Sequence, residues 1–154
     1  MGDTIEKRLA ELGVTLPAAA APAANYVPYV RSGNLLFTAG QLPLKDGKLV
    51  ASGLVGRDID TAAAKDAAKY CAINILAQVK AAAGSLDAIR RLVKITVFVA
   101  STPDFTEQHL VANGASDFLA AVLGDAGKHA RSAVGMASLP LNAPVEIEAI
   151  VELA

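Results

Sequence analysis

Apolar positions at the end of the chain recur with period two. Val145, Ile147, Ala149, Val151 and Leu153 share one face, while Glu146, Glu148, Ile150 and Glu152 take the other, which predicts a half-buried strand over 145–153. Upstream, Leu92-Val93-Lys94-Ile95-Thr96-Val97-Phe98-Val99 is a β-branched run broken only lightly by polar residues. It predicts a central strand over 89–99 with both faces covered. A different period governs 61–83, where Ala72, Leu76, Val79 and Ala83 repeat at helical spacing and Gly84 supplies a stop.

A second helix is expected to open at Thr102-Pro103-Asp104, where a cap residue, proline and an acid stand together, and to carry Val111, Ala115, Phe118 and Val122 on one face as far as Gly124. A returning strand over 131–137 would then complete a parallel crossover with 89–99. Before the first long helix, 29–31, 35–38 and 48–54 read as an antiparallel meander, joined by Ser32-Gly33-Asn34 and Lys45-Asp46-Gly47. At the N-terminus, Ile5, Leu9 and Leu12 mark a short helix over 4–12, with Asp3 and Glu6 at capping-box spacing and Gly13 at its end. The Ala- and Pro-rich stretch that follows reads as an extended connector. Residues 1–25 are therefore expected as an appendage to one domain over 26–154.

The order βββαβαββ describes an α+β fold, a mixed sheet with two helices packed on one face. Two helices leave the other face of the sheet bare, although the 89–99 strand is apolar on both sides. A second copy of the chain is the expected cover.

Composition narrows the functional classes. Fourteen Lys and Arg against fifteen Asp and Glu give a net charge of −1, and aromatic residues make up 5% with no Trp. That leaves neither the basic excess nor the stacking platforms of a nucleic-acid binder. No run approaches the roughly 20 apolar residues that span a bilayer, and residues 1–6 hold no basic export signal. The single Cys71 excludes an intramolecular disulfide and suits a reducing compartment; together these features point to the cytoplasm. Cys71 sits among Tyr70, Ile73 and Ile75, as a packing residue would. The chain contains no GxGxxG, GxSxG or P-loop pattern. His109 reads as a helix-surface residue, and His109 and His129 stand twenty positions apart without partner Cys or acids at ligand spacing, so no metal site is expected.

The blocks Pro28-Tyr29-Val30, Leu36-Phe37-Thr38-Ala39-Gly40-Gln41-Leu42-Pro43, Val93 to Val99, Ala130-Arg131-Ser132-Ala133-Val134, Leu139-Pro140 and Val145 to Ile150 resemble, in order and spacing, the RidA/YjgF family of reactive-intermediate deaminases. The resemblance covers 26–154. It implies a chorismate-mutase-like fold assembled as a homotrimer, with sites in the clefts between subunits and no cofactor. The implied reaction is hydrolysis of small 2-imino or enamine acids to 2-keto acids and ammonia. Other members carry the label endoribonuclease or translation inhibitor, which the charge balance disfavours here.

By the same resemblance Arg131 grips the substrate carboxylate, Glu146 holds or activates the attacking water, and Tyr29 lines the cleft. A guanidinium offers the planar fork that a carboxylate needs. Read without the motif, Arg131 is a surface residue at a strand start and Glu146 belongs to a solvated strand face. Ala39, next to Gly40, stands where many deaminating members carry Ser. Ala133 replaces a frequent Cys, and His129-Ala130-Arg131 replaces Pro-Ala-Arg. Two polar side chains of the site are thereby missing. A non-catalytic trimeric protein binding a small carboxylate metabolite is the competing reading.

Overall fold

The computed structural model describes residues 4–21 and 25–154. Its main sheet has five strands in the order β1-β2-β7-β5-β6, with β1 at Tyr29–Ser32, β2 at Leu35–Thr38, β5 at Ile89–Ala100, β6 at Ala130–Met136 and β7 at Val145–Leu153. Only β5 and β6 run parallel among these pairs, as a strand-helix-strand crossover requires. The helices α2 (Thr61–Ala83) and α3 (Gln108–Leu123) pack against each other and cover one sheet face. The α+β architecture with a mixed sheet is thus the observed one.

The boundaries of α2 follow from its caps. The Asp60 carboxylate accepts the Ala63 N–H at 2.8 Å, and Gly84, at φ 84°, returns its own N–H to the Lys80 carbonyl. Left-handed backbone of that kind favours glycine. Along α2 the buried side chains include Ala64, Ala67, Ala68 and Ala72, small enough to let α3 approach closely. At the contact, a Cβ on Gly114 of α3 would overlap the Lys65 carbonyl. Cys71 is fully buried, its thiol directed at the Val145 carbonyl 3.7 Å away. Burial, and then the Glu146 charge, push that thiol well above its ordinary value, so it packs and does not ionise.

Two sequence expectations shift. The Thr102-Pro103-Asp104 signal opens a β-turn closed by Phe105 N–H on Thr102 O at 3.1 Å, and α3 begins only at Gln108. Proline followed by an acid suits the centre of such a turn as well as a first helical turn. The strand expected over 48–54 shrinks to β4 (Lys48–Leu49), which pairs with β3 (Leu44–Lys45) in a separate two-stranded ribbon. Gly53, at φ 112°, turns the chain away, and the Asp58 carboxylate takes the Leu54 N–H at 2.8 Å. The turn chemistry itself holds: Asp46 and Gly47 both have positive φ between β3 and β4, and Gly33 does so between β1 and β2.

In β5 the bare face expected beneath two helices is present. Ile89, Leu92, Ile95, Val97 and Val99 are buried under the helices, whereas Lys94, Thr96 and Phe98 on the opposite face are only half-buried. No described helix covers that face. Phe37, Val134 and Met136 lie exposed there, at 40, 41 and 37% of their surface.

The N-terminal helix α1 (Thr4–Glu11) buries Ile5 and Leu9 in the common core. Its first N–H groups, those of Thr4 and Ile5, are received by the Asp87 carboxylate at 3.0 and 3.2 Å; the Asp3 cap expected from sequence lies outside the described residues. Residues 14–21 have no regular structure, and the Ala20 carbonyl accepts from Gln78 Nε2 at 2.9 Å.

Candidate active site

Strand register divides the expected site residues into two groups. Arg131 is level with Ile95, and Glu146 is level with Phe98. Residues in register across adjacent strands share a sheet face. Ile95 is buried under the helices and Phe98 lies on the bare side, so Arg131 and Glu146 belong to opposite faces of one sheet. Ala133, in register with Val97, joins Arg131 on the helix side of the edge strand.

Glu146 is half-buried on the bare face, close against Gly40. A Cβ on Gly40 would stand 2.8 Å from the Glu146 Cδ and 2.9 Å from its Cγ. This placement follows from the chain path after β2, where Gln41 bridges to Ile147 through paired backbone bonds of 2.8 and 3.1 Å. Burial, and the neighbouring Glu148 carboxylate, push the Glu146 carboxyl above the ordinary glutamate range. A carboxylate raised in this way is a stronger base toward water. Among the described residues its oxygens carry no hydrogen bond or ion pair, and the Gly40 N–H is also without a partner.

Ala39 lies beside this pair with its backbone already committed: its N–H donates to the Pro28 carbonyl at 2.8 Å and its carbonyl accepts from Gln41 Nε2 at 3.1 Å. Tyr29, on β1, is in register with Thr38 and packs half-buried on the core. Register puts Tyr29 with buried Thr38 on the helix side of the sheet, the face opposite Glu146. On the same bare face a cavity of about 310 Å³ opens between Phe37, Lys94, Thr96, Glu148 and Ile150.

Arg131 is held by α3. Its Nη1 donates to Asn113 Oδ1 at 2.8 Å and to Ser116 Oγ at 3.1 Å, and its Nη2 donates to the His109 carbonyl at 3.3 Å. A guanidinium carries five N–H donors. The Nε–H and one Nη2 hydrogen therefore remain unused among the described residues, leaving donors on two nitrogens of the guanidinium for a ligand acceptor. These partners escaped sequence reasoning, although 109, 113 and 116 follow i, i+4, i+7 spacing on one helix face. His109 is itself exposed, and only its backbone takes part. No three His, Cys, Asp or Glu side chains cluster as a metal would need among the described residues, and no described helix is long and apolar enough to cross a membrane.

Comparison with known proteins matches residues 6–153 to the family described as "YjgF/chorismate mutase-like, putative endoribonuclease". The chain is 49% identical over 150 residues to protein TCP17 of Trypanosoma cruzi, covering 97% of this chain and 94% of that one. Among solved structures it is similar to protein Atu1372 of Agrobacterium tumefaciens, described as of unknown function, with 63% identity, a TM-score of 0.93 and coverage of 99% and 94% of the two chains. TdcF of E. coli, solved with bound serine, shares 28% identity at a TM-score of 0.65, over 88% and 94% of the two chains.

Proposed function

The chain belongs to the YjgF/RidA family, and from that premise we propose that it hydrolyses small 2-imino or enamine acids to 2-keto acids and ammonia, without a cofactor, in a cleft between subunits of a homotrimer. The observation that carries this reading is the unused pair of donors on Arg131, held at the sheet edge by three bonds to α3. Serine in TdcF is a ligand of the size and charge such a pair would take.

Opposite faces within one chain keep Arg131 and Glu146 from sharing a substrate, so the cleft needs Arg131 from one subunit and Glu146 from its neighbour. There Arg131 fixes the carboxylate and orients the adjacent imine carbon. Water adds to that carbon while Glu146 takes one of its protons. That proton passes to nitrogen to give a carbinolamine; the remaining hydroxyl proton then moves to nitrogen through Glu146 as the C–N bond breaks with its electron pair on departing ammonia, and the carbonyl remains. We assign the Gly40 N–H as a donor to the ligand beside Glu146, and Tyr29 to the cleft wall by the family resemblance. With the lone thiol of Cys71 buried, we assign the protein to the reducing cytoplasm.

Ala39 and Ala133 favour a second reading, a trimeric binder of a small carboxylate without turnover, because neither supplies a side-chain proton donor. The deciding measurement supplies freshly generated 2-iminobutanoate and 2-iminopropanoate. Keto-acid release above the spontaneous rate is expected. Binding of 2-oxobutanoate with no acceleration on either imine would replace the enzyme by the binder.

A further inference from the structure

We propose that His129 and Ser116 form a relay that fixes the plane of the Arg131 guanidinium, making His129 a positioning residue. The proposal rests on the carboxylate role given above to Arg131.

The argument follows the hydrogens. A carbonyl oxygen only accepts, so the contact of 2.6 Å between His129 Nδ1 and the Gly127 carbonyl places a hydrogen on Nδ1. In the neutral ring Nε2 is then a lone pair, and it lies 2.8 Å from Ser116 Oγ. The Ser116 hydroxyl has one hydrogen, which goes to that lone pair. Its oxygen consequently faces Arg131 Nη1 as an acceptor, at 3.1 Å. Asn113 Oδ1 takes the other Nη1 hydrogen, so Nη1 is fully used and the free donors are confined to Nε and Nη2.

Strand geometry brings the parts together. His129 and Arg131 are two residues apart at the start of the edge strand β6, both half-buried on the side facing α3. Edge position leaves β6 with a single neighbour, β5, so α3 supplies every observed anchor of the guanidinium. Without an acceptor at 129 the Ser116 hydroxyl is free to rotate, and Nη1 loses one of its two directional partners. The rival account is purely structural: the Ser116–His129 bond staples residues 124–129 to α3 and does nothing for Arg131.

Two measurements on the full-length protein separate these accounts. The first needs no ligand. Restricted rotation should give wild type separate Arg131 Nη1 and Nη2 signals by NMR, merging in Ser116→Ala and His129→Phe but staying resolved in Ser116→Thr and His129→Gln, which keep the hydroxyl and an acceptor.

The second titrates 2-oxobutanoate. Ser116→Ala and His129→Phe should each weaken binding about fivefold to tenfold, yet change nothing further in an Arg131→Ala background, because the coupling runs through that residue. Signals that stay resolved in Ser116→Ala and His129→Phe would overturn the relay, as would an equal loss of binding in both backgrounds. Arg131→Ala binding like wild type would instead strike the carboxylate role, and the NMR result would still decide the relay.

Discussion

The carboxylate of Glu146 occupies the volume that a side chain at Gly40 would need. A Cβ there would come within 2.9 Å of the Glu146 Cγ, so the absence of a side chain at 40 and the position of the acid at 146 are one feature. The φ of Gly40 is not positive, hence alanine fits its backbone, and the three atoms nearest the added Cβ all belong to Glu146. Gly40→Ala should therefore keep its fold, with a melting temperature within a few degrees of wild type, while turnover falls by about tenfold or more as the acid is displaced. Steady-state kinetics alongside thermal melts check this; unaltered turnover would mean that the position of Glu146 is irrelevant.

Titration of Glu146 carries a signed consequence. A carboxyl raised on folding holds its proton more tightly in the folded state, so stability falls as pH rises from the ordinary glutamate value through the raised one. Burial, and then Glu148, are the causes, and Glu146→Gln removes the group that titrates. The variant's melting temperature should show a shallower decline over that pH window than wild type. Its turnover should drop while 2-oxobutanoate still binds. An unchanged melting profile would place the side chain in free solvent, and lost binding would give Glu146 a role in holding the ligand.

Arg131→Ala should leave the assembly folded and lower hydrolysis by at least about tenfold, which is about 1.4 kcal/mol of transition-state binding. Arg131→Lys should recover only part of this, since an ammonium keeps the charge but offers no planar fork to Asn113, Ser116 and the carboxylate together. Kinetics on 2-iminobutanoate measure both. Wild-type rates in the alanine variant would return Arg131 to a surface residue bound to its own helix.

Particular residues explain what could be read in advance. The limits of α2 were legible because Asp60 and Gly84 each have one local task, and β7 because its alternation is unbroken. The start of α3 was not, because Thr102-Pro103-Asp104 satisfies turn and helix chemistry equally, and the bridge from Val55 to Ser101 decides for the turn. Arg131 was legible through its motif, whereas Asn113 and Ser116 lie 18 and 15 residues away and meet it only through the crossover. Sequence parity likewise assigns no common frame to Arg131 and Glu146. Their opposite faces emerge only from the register of both strands against β5.

That separation makes assembly the most exposed part of the proposal. Phe37, Val134 and Met136 lie on the bare sheet face with more than a third of each surface open, and Phe98 and Ile150 are half-buried beside them. Light scattering after gel filtration should give three times 15.8 kDa. Phe37→Asp discriminates further. In an isolated chain the exchange lies at an open surface and costs little, whereas at a packed interface it buries an unpaired carboxylate, which costs several kcal/mol. The expected result is a smaller assembly at micromolar concentration, with a folded circular dichroism spectrum and no hydrolysis. A wild-type monomer, or a Phe37→Asp variant with unchanged mass and rate, would remove the shared cleft and with it the meeting of Arg131 and Glu146 on one substrate.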